Sequence, residues 1–242
     1  MQHYLPFLLE FRSRVLRYLL VLSVLTCLCC FFSNYIYVGF ALPMLHRLPS
    51  GQGMLATTVT GPFLVPFKAG LFIAVVLSIP YFLFQVWQFL TPALYKHEKR
   101  WLWSVILWGT ALFYIGMLFA YFFVLPLIIR FMVNVAPIGV EVRPEIGEYF
   151  SFVTQMLLAF GAAFETPIII VFLVATGLVS LVSLKRQRSY VIVSAFIIGM
   201  LLTPPDVLSQ ICLAIPLWML YELGLLLAQV VVMTKVREVV KE

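Results

Sequence analysis

Six apolar segments divide the chain, at about residues 15–32, 69–90, 102–133, 149–175, 190–202 and 207–228. Runs of this kind, with few charges, fit transmembrane helices, which need about 20 apolar residues to cross a hydrocarbon core of about 30 Å. The predicted architecture is an all-α polytopic membrane protein with six transmembrane helices. Pro126 and Arg130 break the third segment late in its course. At a rise of about 1.5 Å per residue the fifth segment covers only about 20 Å. The uninterrupted apolar part of the sixth, residues 207–221, reaches about 22 Å. The third and fourth exceed what the bilayer needs, so they are expected to tilt or protrude. Two short helices beside two long ones predict a concave bundle, open on the outer side, that thins the bilayer locally.

The connector at residues 33–66 is long and holds Pro43, Pro49, Pro62 and Pro66. Prolines at that density argue against a long straight helix. A short amphipathic piece capping the outer face is expected instead. Small residues four apart, Gly116 with Ala120 and Ala195 with Gly199, predict close helix packing.

Composition agrees with this class. Hydrophobic residues make up 63% and charged residues 11%, against roughly 45–50% and about 25% in soluble domains. No hydrophilic stretch is long enough to fold separately, so residues 1–242 are read as a single integral membrane domain. The net charge of +6 does not signal nucleic acid, because the cations lie in small groups beside apolar segments. Twelve of the sixteen Lys and Arg residues fall at the N-terminus, between segments two and three, between four and five, and in the tail. Four fall on the other side: Arg47, Lys68, Arg130 and Arg143. The positive-inside rule then puts both termini in the cytoplasm. Trp87, Tyr95, Trp101 and Trp103 flank the second connector as an interfacial aromatic belt. No small-residue cleavage site follows the first segment, which is read as a retained span. Cys27, Cys29, Cys30 and Cys212 lie in apolar segments without companion ligands, and packing is the expected role.

Enzyme chemistry finds little support. KHEKRW, at 96–101, places Trp101 where a zinc-binding HExxH helix needs its second His, and no GxSxG elbow or GxxxxGK[ST] phosphate loop occurs. His3, His46 and His97 lie outside the spans. No catalytic activity, metal or cofactor is expected.

Four acids remain. Glu10 precedes the first span and Glu98 follows the second, near Phe89. Each has two readings. Glu10 is either balanced by Arg12 or Arg14, or free to take a guanidinium from a ligand. Glu98 is either neutralised by Lys96, Lys99 and Arg100, or available in the same way. Glu165 is costlier: an ionised acid at a span centre carries roughly 2.5–3.5 kcal/mol even on lenient scales. It must face other helices or water, hold a proton, or bind something. Asp206, after Pro204 and Pro205, is either an N-cap of the sixth helix or a group at the mouth of the hollow. Glu165 and Asp206 together admit a rival function, a proton-coupled secondary transporter or channel. Against it, spans one to three show no inverted repeat in spans four to six.

FLLEFRSR (7–14), FQVWQFLTPALYKHEKR (84–100), FGAAFETP (160–167) and GMLLTPPDVLSQ (199–210) occur in that order. Together they resemble the TatC family, the polytopic subunit of the bacterial twin-arginine protein translocase, over essentially the whole chain. The resemblance implies a receptor for twin-arginine signal peptides of folded cargo, in the bacterial cytoplasmic membrane and driven by the proton-motive force. It implies the single-span TatA and TatB subunits as partners, self-association in a larger complex, and contact with membrane lipid. Signal-peptide binding then maps to Glu10, Arg12, Phe89 and Glu98, the intramembrane polar site to Glu165, and the structural loop to Pro43. Partner-helix contact maps to Met200, Leu201, Thr203, Pro205, Asp206 and Gln210. Phe7, Phe11, Ser189 and the HEKR order depart from the usual family pattern but keep the acids. With no second deep acid to continue a relay, Glu165 is expected to hydrogen-bond a partner helix or an inserted signal.

Overall fold

In a computed structural model of the chain, residues 5–45, 54–90, 99–135, 144–202 and 207–239 are described. Ten α-helices follow in order among them: α1 Leu5–Cys30, α2 Ser33–Leu45, α3 Gly61–Leu90, α4 Lys99–Phe119, α5 Leu125–Val135, α6 Ile146–Phe164, α7 Thr166–Ala175, α8 Leu181–Arg186, α9 Arg188–Leu202 and α10 Val207–Val239. The described residues form no strand beyond an isolated bridge between Leu55 and Glu145. Five stretches are long and apolar enough to cross a membrane: Leu9–Cys30, Gly61–Phe89, Trp103–Phe131, Ile146–Ala175 and Leu213–Met233. Arg188–Leu201 is a shorter sixth. The protein is therefore a helical membrane protein.

The chain divides into two units, one of Met1–Thr110 with Glu141–Ser151 and one of Ala111–Val140 with Phe152–Glu242. In the first, α1 and α2 pack on α3. Gly70 makes the α1 contact possible: a Cβ there would lie 3.2 Å from the Cys29 carbonyl oxygen. Tyr18 and Ser78 share a hydrogen bond of 3.0 Å across the same seam, and Tyr18 packs on Phe82 at 5.2 Å. Phe40 of α2 meets Phe72 and Phe150 edge-on, while the Tyr149 hydroxyl donates to the Phe40 carbonyl at 3.2 Å. Glu145 Oε2 accepts the Glu148 N–H and so satisfies one of the donors left open at the start of α6. The piece in the first connector is thus a helix, α2. It is not amphipathic as expected: after Ser33 and Asn34 its turns are apolar on every side.

The first and second spans also begin earlier than their apolar cores. Glu10 and Arg14 form an i,i+4 pair that carries α1 back through the charged segment. Pro62 lies in the first turn of α3, where a missing N–H costs no intrahelical bond.

In the second unit, a π-helical turn at Ala120–Val124 joins α4 to α5. Leu125 N–H bonds back to the Ala120 carbonyl, five residues away. Pro126 supplies no N–H to the ladder, and the wide turn absorbs that loss without ending the helix. The predicted break at Pro126 is therefore a change of helical pitch. Glycines set the α4–α6 contact. A Cβ on Gly116 would lie 2.7 Å from the Phe160 carbonyl oxygen, and one on Gly161 would lie 2.7 Å from the Phe113 ring. Gly116→Ala is expected to destabilise the protein by about 1–3 kcal/mol through overpacking against backbone. Gly39→Ala, which meets nothing within 4 Å, should be near neutral. Detergent-resistant unfolding curves of the two variants test this, and coincident curves would contradict it.

The sixth span differs from expectation. It is not short: α10 runs 33 residues, through Pro216. The polar residues that interrupt its apolar run are matched by neighbours. Arg188 pairs with Glu222 at 2.7 Å, and Lys185 donates to Gln229 at 3.1 Å. The Tyr221 hydroxyl donates to the Leu184 carbonyl at 2.8 Å. With those groups satisfied by α8 and α9, nothing forces the helix to stop. Only the fifth span, 15 residues in α9, is short.

Candidate functional site

The N-terminal turns of α1 and the C-terminal turns of α3 lie side by side and carry a polar cluster. Arg14 is its centre. Its Nη2 and Nε donate to Glu10 Oε1 at 2.6 and 3.1 Å. Its Nη1 donates to Gln88 Oε1 at 2.8 Å and to Gln85 Oε1 at 3.3 Å. The Gln85 amide in turn donates to the Tyr81 hydroxyl at 2.7 Å. Gln85 is buried and the Arg14 side chain only 14% exposed, whereas the Glu10 side chain is 44% exposed. A planar guanidinium fits this arrangement because its several donors point in fixed directions. The result is a carboxylate held in one orientation and still open to an approaching group.

Phe89 joins the same end, its ring 5.8 Å from that of Phe11, the residue after Glu10. The structure thus brings Phe89 against the residue that follows Glu10. Arg12 is not part of the cluster. Two residues turn an α-helix by about 200°, and Arg12 lies on the outward face with Leu9, Ser13, Leu16, Arg17 and Leu20. Of the two counter-charges considered for Glu10, the partner is Arg14. Glu98 lies outside the described residues.

Glu165 occupies the break between α6 and α7. Pro167 in the first turn of α7 has no N–H to return to Ala163, and the chain tightens there: the Glu165 N–H bonds to the Ala162 carbonyl at 3.2 Å. The residue is 6% exposed, and Oε1 makes no hydrogen bond with the described residues. One turn further on, α10 crosses α7 closely. A Cβ on Gly224 would lie 3.0 Å from Pro167 Cα and 2.7 Å from Ile170 Cδ1. Ile170, Leu184, Tyr221, Leu225 and Ala228 form the buried core at this crossing.

Met200 and Leu201 end the outward face of α9 and are 54% and 73% exposed. Gln210 instead ties the hairpin together, its amide donating to the Phe196 carbonyl at 2.9 Å. Gly199 leaves room for it, with a Cβ there 3.3 Å from Gln210 Cγ. Thr203, Pro205 and Asp206 lie outside the described residues. Pro43 lies within α2. No group of three or more His, Cys, Asp or Glu able to hold a metal occurs among the described residues.

Gln85 and Gln88 were not singled out from the sequence. Two glutamines three apart near the end of an apolar helix were the available signal, since that spacing puts both on one face. Arg188 with Glu222 was likewise missed, being paired across 34 positions.

Residues 6–216 match the family model described as Sec-independent protein translocase protein (TatC). The chain is 45% identical over 222 residues to the Sec-independent protein translocase protein TatC of Haemophilus influenzae, covering 92% of this chain and 87% of that one. It is 46% identical over 217 residues to the protein of the same name from Escherichia coli K12, covering 90% and 84%. The fold is similar to a crystal structure of the twin-arginine translocase receptor TatC, with a TM-score of 0.84 and 34% identity over 93% of this chain and 99% of that one.

Proposed function

Because the chain belongs to the TatC family of Sec-independent protein translocase subunits, we propose that it receives twin-arginine signal peptides of folded cargo. The observation that carries this reading is the Glu10 carboxylate, held from one side by Arg14 and still exposed, with Phe89 packed on the neighbouring Phe11. A carboxylate so oriented suits a guanidinium, which pairs with it through directed N–H bonds. Glu98 supplies the second acceptor, and Phe89 an apolar surface beside the arginine stem. A lysine pair offers point charges without the planar fork and binds less well.

The Lys and Arg distribution supports both termini in the cytoplasm, and so a receptor site at the cytoplasmic face of the inner membrane. The whole chain acts as one integral membrane domain. The exposed end of α9, with Met200 and Leu201, serves with Thr203, Pro205, Asp206 and Gln210 as the contact for the single-span TatA and TatB helices. The assembled complex contains further copies of this chain and works on the proton-motive force. Glu165 anchors a polar group of a partner helix or an inserted signal.

Photo-crosslinking from Phe89 to signal peptides carrying Arg-Arg or Lys-Lys tests the receptor reading. The Arg-Arg peptide is expected to label about tenfold more strongly, the factor of one directed charge-assisted hydrogen bond. Glu10→Ala and Glu98→Ala should each reduce that preference. Equal labelling by both peptides, indifferent to the two acids, would overturn it.

A further inference from the structure

The outward face of α1 carries a second feature, which includes Arg12, the residue that the family resemblance assigns to signal-peptide binding, but not Glu10 or Phe89. Leu9, Leu16 and Leu20, 57%, 54% and 66% exposed, form an apolar stripe along the helix. Arg12 flanks it on one side, and Ser13 with Arg17 on the other; together the six line a shallow groove of about 400 Å³. Both arginines are exposed. Arg17 does not extend outward along the apolar stem. Its Nη2 donates to Ser13 Oγ at 3.1 Å, which draws the guanidinium back one turn toward the level of Arg12. Helical side chains lean toward the N-terminus, and cationic ones near a membrane boundary move their heads toward the polar region.

Charge balance separates this face from the one against α3. Glu10 is the one acid in α1, and Arg14 engages it on the α3 side. Among the described residues neither Arg12 nor Arg17 has an ion-pair partner. The groove therefore sets two arginine heads beside an apolar track, on a span of which only 6% is buried by the protein.

We propose that this groove binds an anionic glycerophospholipid. Its phosphate sits between the Arg12 and Arg17 guanidinia, with the Ser13 hydroxyl as a further donor, and one acyl chain lies over Leu16 and Leu20. Guanidinium forks match phosphate oxygens in both geometry and charge. A zwitterionic lipid presents its own cation to the same arginines and gains less. A peptide segment of positive charge is disfavoured here for the same reason, which distinguishes the groove from the Glu10 site.

The test uses the purified full chain in nanodiscs and a phosphatidylglycerol carrying a photoreactive group in its acyl chain. Label is expected on the peptide containing Leu16 and Leu20, and about 30-fold excess phosphatidylcholine should be needed to compete it by half, at about fivefold per surface arginine. An equal amount of unlabelled phosphatidylglycerol should suffice. Arg12→Gln with Arg17→Gln should bring the two competitors to near parity, while Arg12→Lys with Arg17→Lys should keep most of the preference. Equal competition by both lipids in the wild-type protein overturns the site, whatever the variants do. Label absent from α1, or a preference that survives in the double glutamine variant, overturns it too.

Discussion

Export of a twin-arginine cargo is expected to fall by about tenfold or more in Glu165→Ala and by clearly less in Glu165→Gln. The side chain is buried, and one of its oxygens makes no hydrogen bond with the described residues. A buried acceptor left unmatched costs about 1–3 kcal/mol. Such a group persists in a membrane protein when it serves a pathway or a partner. Glutamine keeps a carbonyl acceptor and adds two donors, so it can still meet a polar group on a docking helix. Alanine can do neither, and losing one such bond at about 1.4 kcal/mol is already tenfold. Export assays on whole cells at matched expression check this. Equal loss in both variants would instead mean that a charge or a transferable proton is required at Glu165.

The second large effect is expected at Arg14. Its guanidinium joins Glu10 of α1 to Gln85 and Gln88 of α3 through four hydrogen bonds. Arg14→Ala should lower stability by about 2–3 kcal/mol, the scale of hydrogen bonds to a charged group. The half-exposed pair with Glu10 adds less than about 1 kcal/mol of this. Signal-peptide binding should fall with it, because Glu10 then loses its fixed orientation. Arg14→Lys keeps the charge but cannot reach three acceptors at once, so it should recover only part of either property. Thermal unfolding in detergent and peptide binding, measured on the same preparations, provide the check. An unchanged unfolding temperature in Arg14→Ala would refute the bridging role.

How legible the site was in the sequence differs from residue to residue. Glu165 stood out because an acid inside an apolar run is costly wherever the helix faces, and burial agrees. Its setting in a helix break follows from Pro167, two residues on, which is also local. Glu10 and Phe89 were marked by their places beside the spans and by motif, and the packing of Phe89 on Phe11, next to Glu10, depends on how α1 lies along α3. The choice of Arg14 over Arg12 as partner of Glu10 could not be read from composition, since both are near in sequence. It depends on the rotation of α1 about its axis, which α3 fixes. The length of α10 was misjudged because Glu222 reads as an interruption until Arg188 is placed opposite it.

The sequence by itself determined the class of the protein, the number and order of its apolar segments, and its family. Each of these rests on runs and motifs that are contiguous, because a lipid environment demands unbroken apolar helix within each segment. The tertiary structure alone decided which charges are paired, which face outward and where helices continue. Those outcomes depend on residues far apart in the chain, such as Arg14 and Gln88, separated by 74 positions. A hydrogen bond acts over about 3 Å, and only packing brings such residues within that reach.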